Sequence, residues 1–282
     1  AAGAGLPAKN RASIERWRTK NNVPPATKAT FFSSQIRSQQ LFAEQIDAVL
    51  GSSADAFAAG IGLPASVIQR AAQCGKFTIS LVGSAKHAVA AKTAGVDLIV
   101  AQGADAGGHT GPIGTYSLVP QVVEAAGDVP VLAAGGVGHG RHIAAAFGLG
   151  AQGVWLGTAW LTSREHAFNE ILLRQVLAAR GEDTVISKSH SGKSARLIRS
   201  AWTDEWEAPS APKPLPMPYQ QVLTGELLAA VEEHGIEALS YTGAGQGVGW
   251  FNELKTVDEI VERLVSETQG ALDQMNARLS GN

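Results

Sequence analysis

The strongest constraint on how this chain folds is its rhythm. Short apolar runs at Ala26–Phe32, Ala54–Ala59, Phe77–Val82, Leu98–Gln102, Val131–Ala134 and Gly153–Leu156 read as strands. Between them lie helical patterns at Gln40–Leu50, Pro64–Gln73, Ala85–Ala94, Ser117–Ala126 and Arg141–Leu149. Strands and helices alternating at this spacing build βαβ units around a parallel sheet. Leu98-Ile99-Val100 is apolar at every position, as a strand covered on both faces requires. Pro64 and Ser84 are natural helix starts. With Val131–Ala134 and Gly153–Leu156 taken as strands seven and eight, Ala26–Phe32 becomes strand three of an α/β, TIM (β/α)8-type barrel. Strands one and two then have no counterpart in this sequence, and Ala1–Leu6 reads as the remnant of a loop after strand two. An open, doubly wound sheet of six strands is the alternative.

The rhythm changes after Ser163. A helix is expected over Glu165–Ala179, then a polar segment at Ser187–Ser194. Trp202–Pro218 carries Trp202, Trp206 and prolines at 209, 212, 214, 216 and 218, a density that argues for ordered but irregular chain. Val257, Ile260, Val261, Leu264, Val265, Leu272 and Met275 then form one apolar stripe of a closing helix. The expected organisation is a barrel portion over residues 1–163 and a helical, Pro/Trp-rich lid region over 164–282.

Composition narrows the partners. A net charge of −2 sets up no field for nucleic acid or an anionic membrane. Ala1–Leu6 lacks a basic, apolar leader. The uncharged stretch His142–Ser163 is too rich in glycine for a membrane span and reads as a helix followed by a strand. A soluble, cytoplasmic protein is expected, with self-association left open. The single cysteine, Cys74, excludes an internal disulfide framework and reads as a small hydrophobe filling a core gap.

Two strand ends carry the most chemical information. Val131-Leu132-Ala133-Ala134-Gly135-Gly136-Val137-Gly138 runs from a strand into bare backbone just before a helix. Roughly twenty residues on, Gly153-Val154-Trp155-Leu156-Gly157-Thr158 repeats the pattern with a hydroxyl at its end. Consecutive glycines let main-chain N–H groups face one anion, and a following helix N-terminus adds partial positive charge. In barrels this phosphate site lies after strands seven and eight. A dinucleotide fingerprint on Gly136-Val137-Gly138-His139-Gly140 fails, because its third glycine comes one residue early and no acidic residue follows near twenty positions on. The third feature is Gln102-Gly103-Ala104-Asp105-Ala106-Gly107-Gly108-His109-Thr110-Gly111, directly after a strand. Its glycines let backbone pass close to a flat ligand, and His109 is suited to proton exchange or hydrogen bonding near neutrality. His139 and His142 lack a third ligand and read as a surface pair. Ser189-His190-Ser191 lacks the G-x-S-x-G setting of a hydrolase nucleophile.

The strings AQGADAGGHTG (Ala101–Gly111), SLVPQVVEAAGDVPVLAAGGVGHGRHIAAAFGLGAQGVWLGTAWL (Ser117–Leu161) and SGKSARLIR (Ser191–Arg199) together resemble the nitronate monooxygenase family, formerly 2-nitropropane dioxygenases. The resemblance is best over Ala54–Arg199. It implies a TIM barrel holding non-covalent FMN and an activity that oxidises alkyl nitronates with O₂ to a carbonyl compound and nitrite. Carried over by position, Gly135, Gly136, Gly157 and Thr158 hold the phosphate. Gln102, Gly107 and Gly108 lie along the flavin, and His109 is the active-site histidine. Gln246, in the loop Tyr241–Trp250, is a further expected cofactor contact, whereas Trp250 and Phe251 are expected to pack the lid. The chain departs from the family in having no Q-A-P-M-x-G opening and no Asn in Ala26–Phe32, where Thr30 takes that place. FMN-dependent enoyl-acyl-carrier-protein reductases, which use NAD(P)H, share the G-G-H and A-A-G-G strings and supply the alternative activity. A non-catalytic flavin-binding barrel is the alternative from outside enzymology.

Overall fold

A computed structural model describes residues 5–27, 39–60, 64–167 and 169–281. Among these residues, helices α1 (Ala8–Lys20) and α2 (Gln39–Leu50) precede strand β1 (Ala56–Gly60). Helix α3 (Ala65–Gln73), β2 (Phe77–Val82), α4 (Ala85–Ala94) and β3 (Leu98–Gln102) follow. Next come the two-residue strand β4 (Gly108–His109), α5 (Thr115–Ala126), β5 (Val131–Ala134), α6 (Gly140–Gly148) and β6 (Gly153–Trp155). The second half holds α7 (Glu170–Ala178), β7 (Thr184–Ser187), β8 (Ala195–Ile198), α8 (Ala201–Glu207), α9 (Tyr219–Glu233) and α10 (Val257–Leu279).

Strands β1, β2, β3, β5 and β6 pair in parallel and in that order. Every neighbour in this sheet is also the next sheet strand along the chain. A doubly wound sheet reverses its order at a switch point, and this one does not. The architecture is therefore an arc of a (β/α)8-type barrel. The expected strand Ala26–Phe32 and its Thr30 lie, from residue 28 onward, outside the described residues.

Local chemistry fixes the helices of the arc. Ser84 caps α4 by accepting from the His87 amide, and Gly95, at φ 83°, ends it in the left-handed region. Pro64 stands immediately before α3. The core of the arc packs Ile99, Leu118, Val119, Val122 and Val131 between sheet and helices. Cys74 is exposed rather than buried, because α3 ends at Gln73 and its inward face stops with Val67, Ile68 and Ala71.

The second half contains more regular structure than its composition suggests. At the start of the Trp/Pro-rich stretch, Ala201–Glu207 form α8, whose Trp202 and Trp206 are buried. Trp17 of α1 meets Trp202 and Trp206 edge-on, at centroid separations of 6.0 and 4.9 Å. With Leu223, Leu227 and Val231 of α9 these rings form a separate apolar core. Strands β4, β8 and β7 make a small antiparallel sheet. The helix expected over Glu165–Ala179 is shorter, Glu170–Ala178, and starts where the Asn169 side chain accepts from the Ile171 amide.

The last helix is tied to the barrel. Thr256 and Glu259 form a reciprocal capping box at the start of α10. Farther along, Glu267 accepts from the Gly140 amide at 2.9 Å and Arg263 donates to the Gly138 carbonyl at 3.4 Å. Gly140 is pressed against the backbone of Glu267 and Thr268, leaving no room for a Cβ. Gly140→Ala is expected to destabilise the protein by about 1–3 kcal/mol through overpacking, read as a lower denaturation midpoint at unchanged m-value.

Candidate active site

The C-terminal ends of β3, β5 and β6 converge on a cavity of ≈ 310 Å³. Gln102, Gly107, Gly108, Gly135, Gly136, Gly157 and Thr158 all line it. The loop after β5 turns sharply because Gly135 and Gly136 take φ values of 108° and 73°, where a side chain is strained. The main-chain N–H groups of Gly135, Gly136 and Gly157 donate to no protein acceptor among the described residues. Thr158 Oγ1 accepts from the Gly245 amide at 2.9 Å, which leaves its own proton available. These are donors without acceptors of their own, on cavity-lining residues at neighbouring strand ends.

Gly157 shows where a bound group fits. Its φ of −125° is open to any residue, and a Cβ there meets nothing within 4 Å. Neither backbone conformation nor packing calls for glycine; the space beside it belongs to the cavity. Gly108 likewise faces open space. A dianionic phosphate matches this donor set, because main-chain N–H groups and a hydroxyl are neutral donors that lose little when water is exchanged for an anion.

His109 stands next to this wall but is not part of it. Gln102 fixes its backbone by donating from Nε2 to the His109 carbonyl at 2.7 Å, and β4 pairs His109 with Ala195 of β8. His109 Nε2 lies 2.5 Å from Ser191 Oγ. Burial, and then the nearby Lys193 ammonium, hold its pKa below the ordinary histidine value. Both effects favour the neutral ring, in which one nitrogen donates a hydrogen bond and the other accepts.

Gln246 is placed differently from its neighbours. Its amide donates to the Asp105 carbonyl at 2.9 Å and Gly245 and Gly247 line the cavity, but its own side chain is exposed and outside the lining. Phe251 packs with Ile260 and Leu264 of α10, whereas Trp250 is half exposed and lies edge-on to His139. His139 and His142 serve the turn into α6: their Nδ1 atoms accept from the amides of Arg141 and Gly138, each at 3.1 Å. No metal-binding group of three or more His, Cys, Asp or Glu occurs among the described residues. None of their helices is long and apolar enough to cross a membrane.

Two residues of the site escaped the sequence reading. Arg196 is buried on β8, donating through Nε to the Ala104 carbonyl at 2.8 Å and through Nη1 to Thr184 Oγ1 at 3.0 Å, and so ties the His109 loop to the small sheet. Ser191 is fully buried beneath His109. Both lie in SGKSARLIR, a string that signalled kinship but not contact.

His190 lies beside this pair. It stacks on Tyr241 with centroids 4.7 Å apart, and burial, reinforced by His109, lowers its pKa to about 4. An unfolded histidine takes up its proton near pH 6.5, so the unfolded chain binds more protons than the folded one between there and pH 4. The stability His190 contributes is complete above pH 6.5 and is lost as the pH falls through this window. Denaturant titrations at pH 7 and 4.5 are expected to differ by about 2–3 kcal/mol from this residue.

Comparison with known proteins identifies the chain's relatives. A Mycobacterium tuberculosis protein carrying a provisional monooxygenase name is 43% identical over 218 residues, which is 75% of this chain and 58% of that protein. The chain thus spans less than two thirds of that relative. The crystal structure of nitroalkane oxidase from Streptomyces ansochromogenes superposes with a TM-score of 0.80 at 27% identity, covering 94% of this chain and 77% of that one. FabK from Thermotoga maritima gives 0.75 at 28% identity, covering 98% and 86%. The model of the family described as "Nitronate monooxygenase" matches residues 6–267, and with the barrel arc and the cradle at its strand ends the chain belongs to that family.

Proposed function

We propose that the chain binds FMN and oxidises alkyl nitronates with O₂ to a carbonyl compound and nitrite. The observation that carries this reading is the cradle of unpaired donors at Gly135, Gly136, Gly157 and Thr158 beside a neutral His109. In it the cradle holds the phosphate, Gln102, Gly107 and Gly108 line the flavin, and His109 orients the substrate. The flavin supplies the electron chemistry when bound. The protein's share is to anchor that group, keep the site walled by apolar strand ends, and present an imidazole N–H to the nitronate oxygens. Residues up to 163 carry the cradle, and 164–282 cover it and brace the histidine loop.

FMN-dependent enoyl-acyl-carrier-protein reduction is the second reading, favoured by the G-G-H and A-A-G-G strings, Gly107-Gly108-His109 and Ala133-Ala134-Gly135-Gly136, that line or adjoin the cavity. One experiment separates them. The purified protein is expected to be yellow, to release FMN on heating, and to consume O₂ with a preformed nitronate when no nicotinamide is added. Turnover of an enoyl thioester that depends on NAD(P)H, without nitronate turnover, establishes the second reading instead.

A further inference from the structure

The contact between His109 and Ser191 fixes more than distance. Ser191 Oγ already accepts from the Lys193 amide at 3.3 Å, and the side chain is fully buried. Its hydroxyl proton needs an acceptor, because a buried donor left unmade costs its full desolvation. Among the described residues the only acceptor bonded to it is His109 Nε2, at 2.5 Å. If Nε2 carried a proton and donated to Oγ, the serine proton would have nowhere to go. The accounting closes one way: Ser191 donates, Nε2 accepts, and the proton of the neutral ring sits on Nδ1. That nitrogen makes no protein hydrogen bond among the described residues and is not one of the buried orphaned atoms. It is the free face of the ring.

The turn carrying Ser191 is itself braced. Gln220, fully buried at the start of α9, donates from Nε2 to the Ser189 carbonyl and accepts from the Leu215 amide, each at 2.8 Å. Gly192, at φ 81°, packs under the backbone of Leu215–Met217 too closely for a Cβ. The proline-rich segment therefore clamps the turn against α9.

We propose that Ser191 is the positioning residue of His109: it sets the tautomer so that Nδ1–H faces outward as a donor to an anionic substrate. This rests on the proposed function only for the identity of that substrate. A ring with Nε2 occupied and a proton on Nδ1 has no vacant basic nitrogen, so it receives a nitronate already deprotonated rather than abstracting the α-proton of a neutral nitroalkane.

The tautomer is read on the flavin-loaded, ¹⁵N-histidine-labelled protein by NMR at pH 7. His109, assigned by the loss of its signals in His109→Ala, is expected to show a pyridine-type Nε2 and a pyrrole-type Nδ1. Ser191→Ala is expected to lose that pattern. In the same variant kcat/KM for a preformed nitronate falls by about ten- to a hundred-fold, the range seen for outer partners of functional histidines at metal sites. FMN content stays unchanged. A protonated Nε2 in the wild type overturns the proposal without any variant, and so does a Ser191→Ala protein with unaltered tautomer and turnover. Wild-type nitronate turnover by His109→Ala is a separate failure, that of the substrate assignment, and leaves the NMR result to be judged alone.

Discussion

His109→Ala is expected to lower kcat/KM for preformed nitronates by about 10²–10³-fold, the cost of deleting one donor aimed at a negatively charged oxygen. The protein should still fold and still be yellow. Its side chain is absent from the cavity lining, and the hydrogen bond from Gln102 goes to the main-chain carbonyl, which alanine retains. Activity therefore separates from cofactor content, and stopped-flow or steady-state O₂ uptake at matched FMN occupancy measures the difference. Because burial and then Lys193 lower the imidazole pKa, any loss of wild-type rate from protonating this ring should begin at a lower pH than for an ordinary histidine. A variant with full FMN and wild-type turnover removes His109 from the mechanism.

Gly157→Asp tests the other half of the site and should have the reverse signature. The backbone at 157 tolerates a side chain and no protein atom stands within 4 Å, so the folded state loses little. The new carboxylate enters the cavity that Gly135, Gly136 and Gly157 line, and displaces a bound anion by volume and by like charge. FMN affinity is expected to fall at least a hundred-fold, about 2.8 kcal/mol, while the thermal midpoint of the flavin-free protein is unchanged. Equilibrium dialysis with FMN and a melting curve of the apoprotein check the two parts. Retained FMN with this substitution places the phosphate elsewhere.

How much of this was legible depends on how local the signal is. The five sheet strands and the helices between them were readable because each carries its own period, cap or apolar run, as at Ser84 and Leu98-Ile99-Val100. The glycine loops were readable because bare backbone at a strand end has few other uses. The small sheet was not. Strand β4 is two residues long and exists only because β8, more than eighty residues later, pairs with it. Helices α1 and α9 went unnoticed for a related reason: neither carries a clear apolar stripe, and their fit comes from Trp17 meeting Trp202 and Trp206 across the chain. The same prolines that argued against regular structure at 202–218 leave Ala201–Glu207 free of proline, long enough for two turns. Ser191 was hidden in a motif whose meaning is entirely tertiary, since its partner sits 82 positions away. At Gln246 nothing in the sequence signalled that the side chain is exposed and that the neighbouring Gly245 and Gly247 line the cavity instead.

The tether between α10 and the start of α6 has a consequence for synthesis. Chains emerge N-terminus first and domains fold as units, yet the turn at Gly138–Gly140 obtains its clasp from Arg263 and Glu267, well over a hundred residues later. On the ribosome the anion seat can be present in outline but is not locked until those two side chains have emerged. On the proposed function, capture of FMN is thereby deferred until α10 has been made and its two side chains can close the turn.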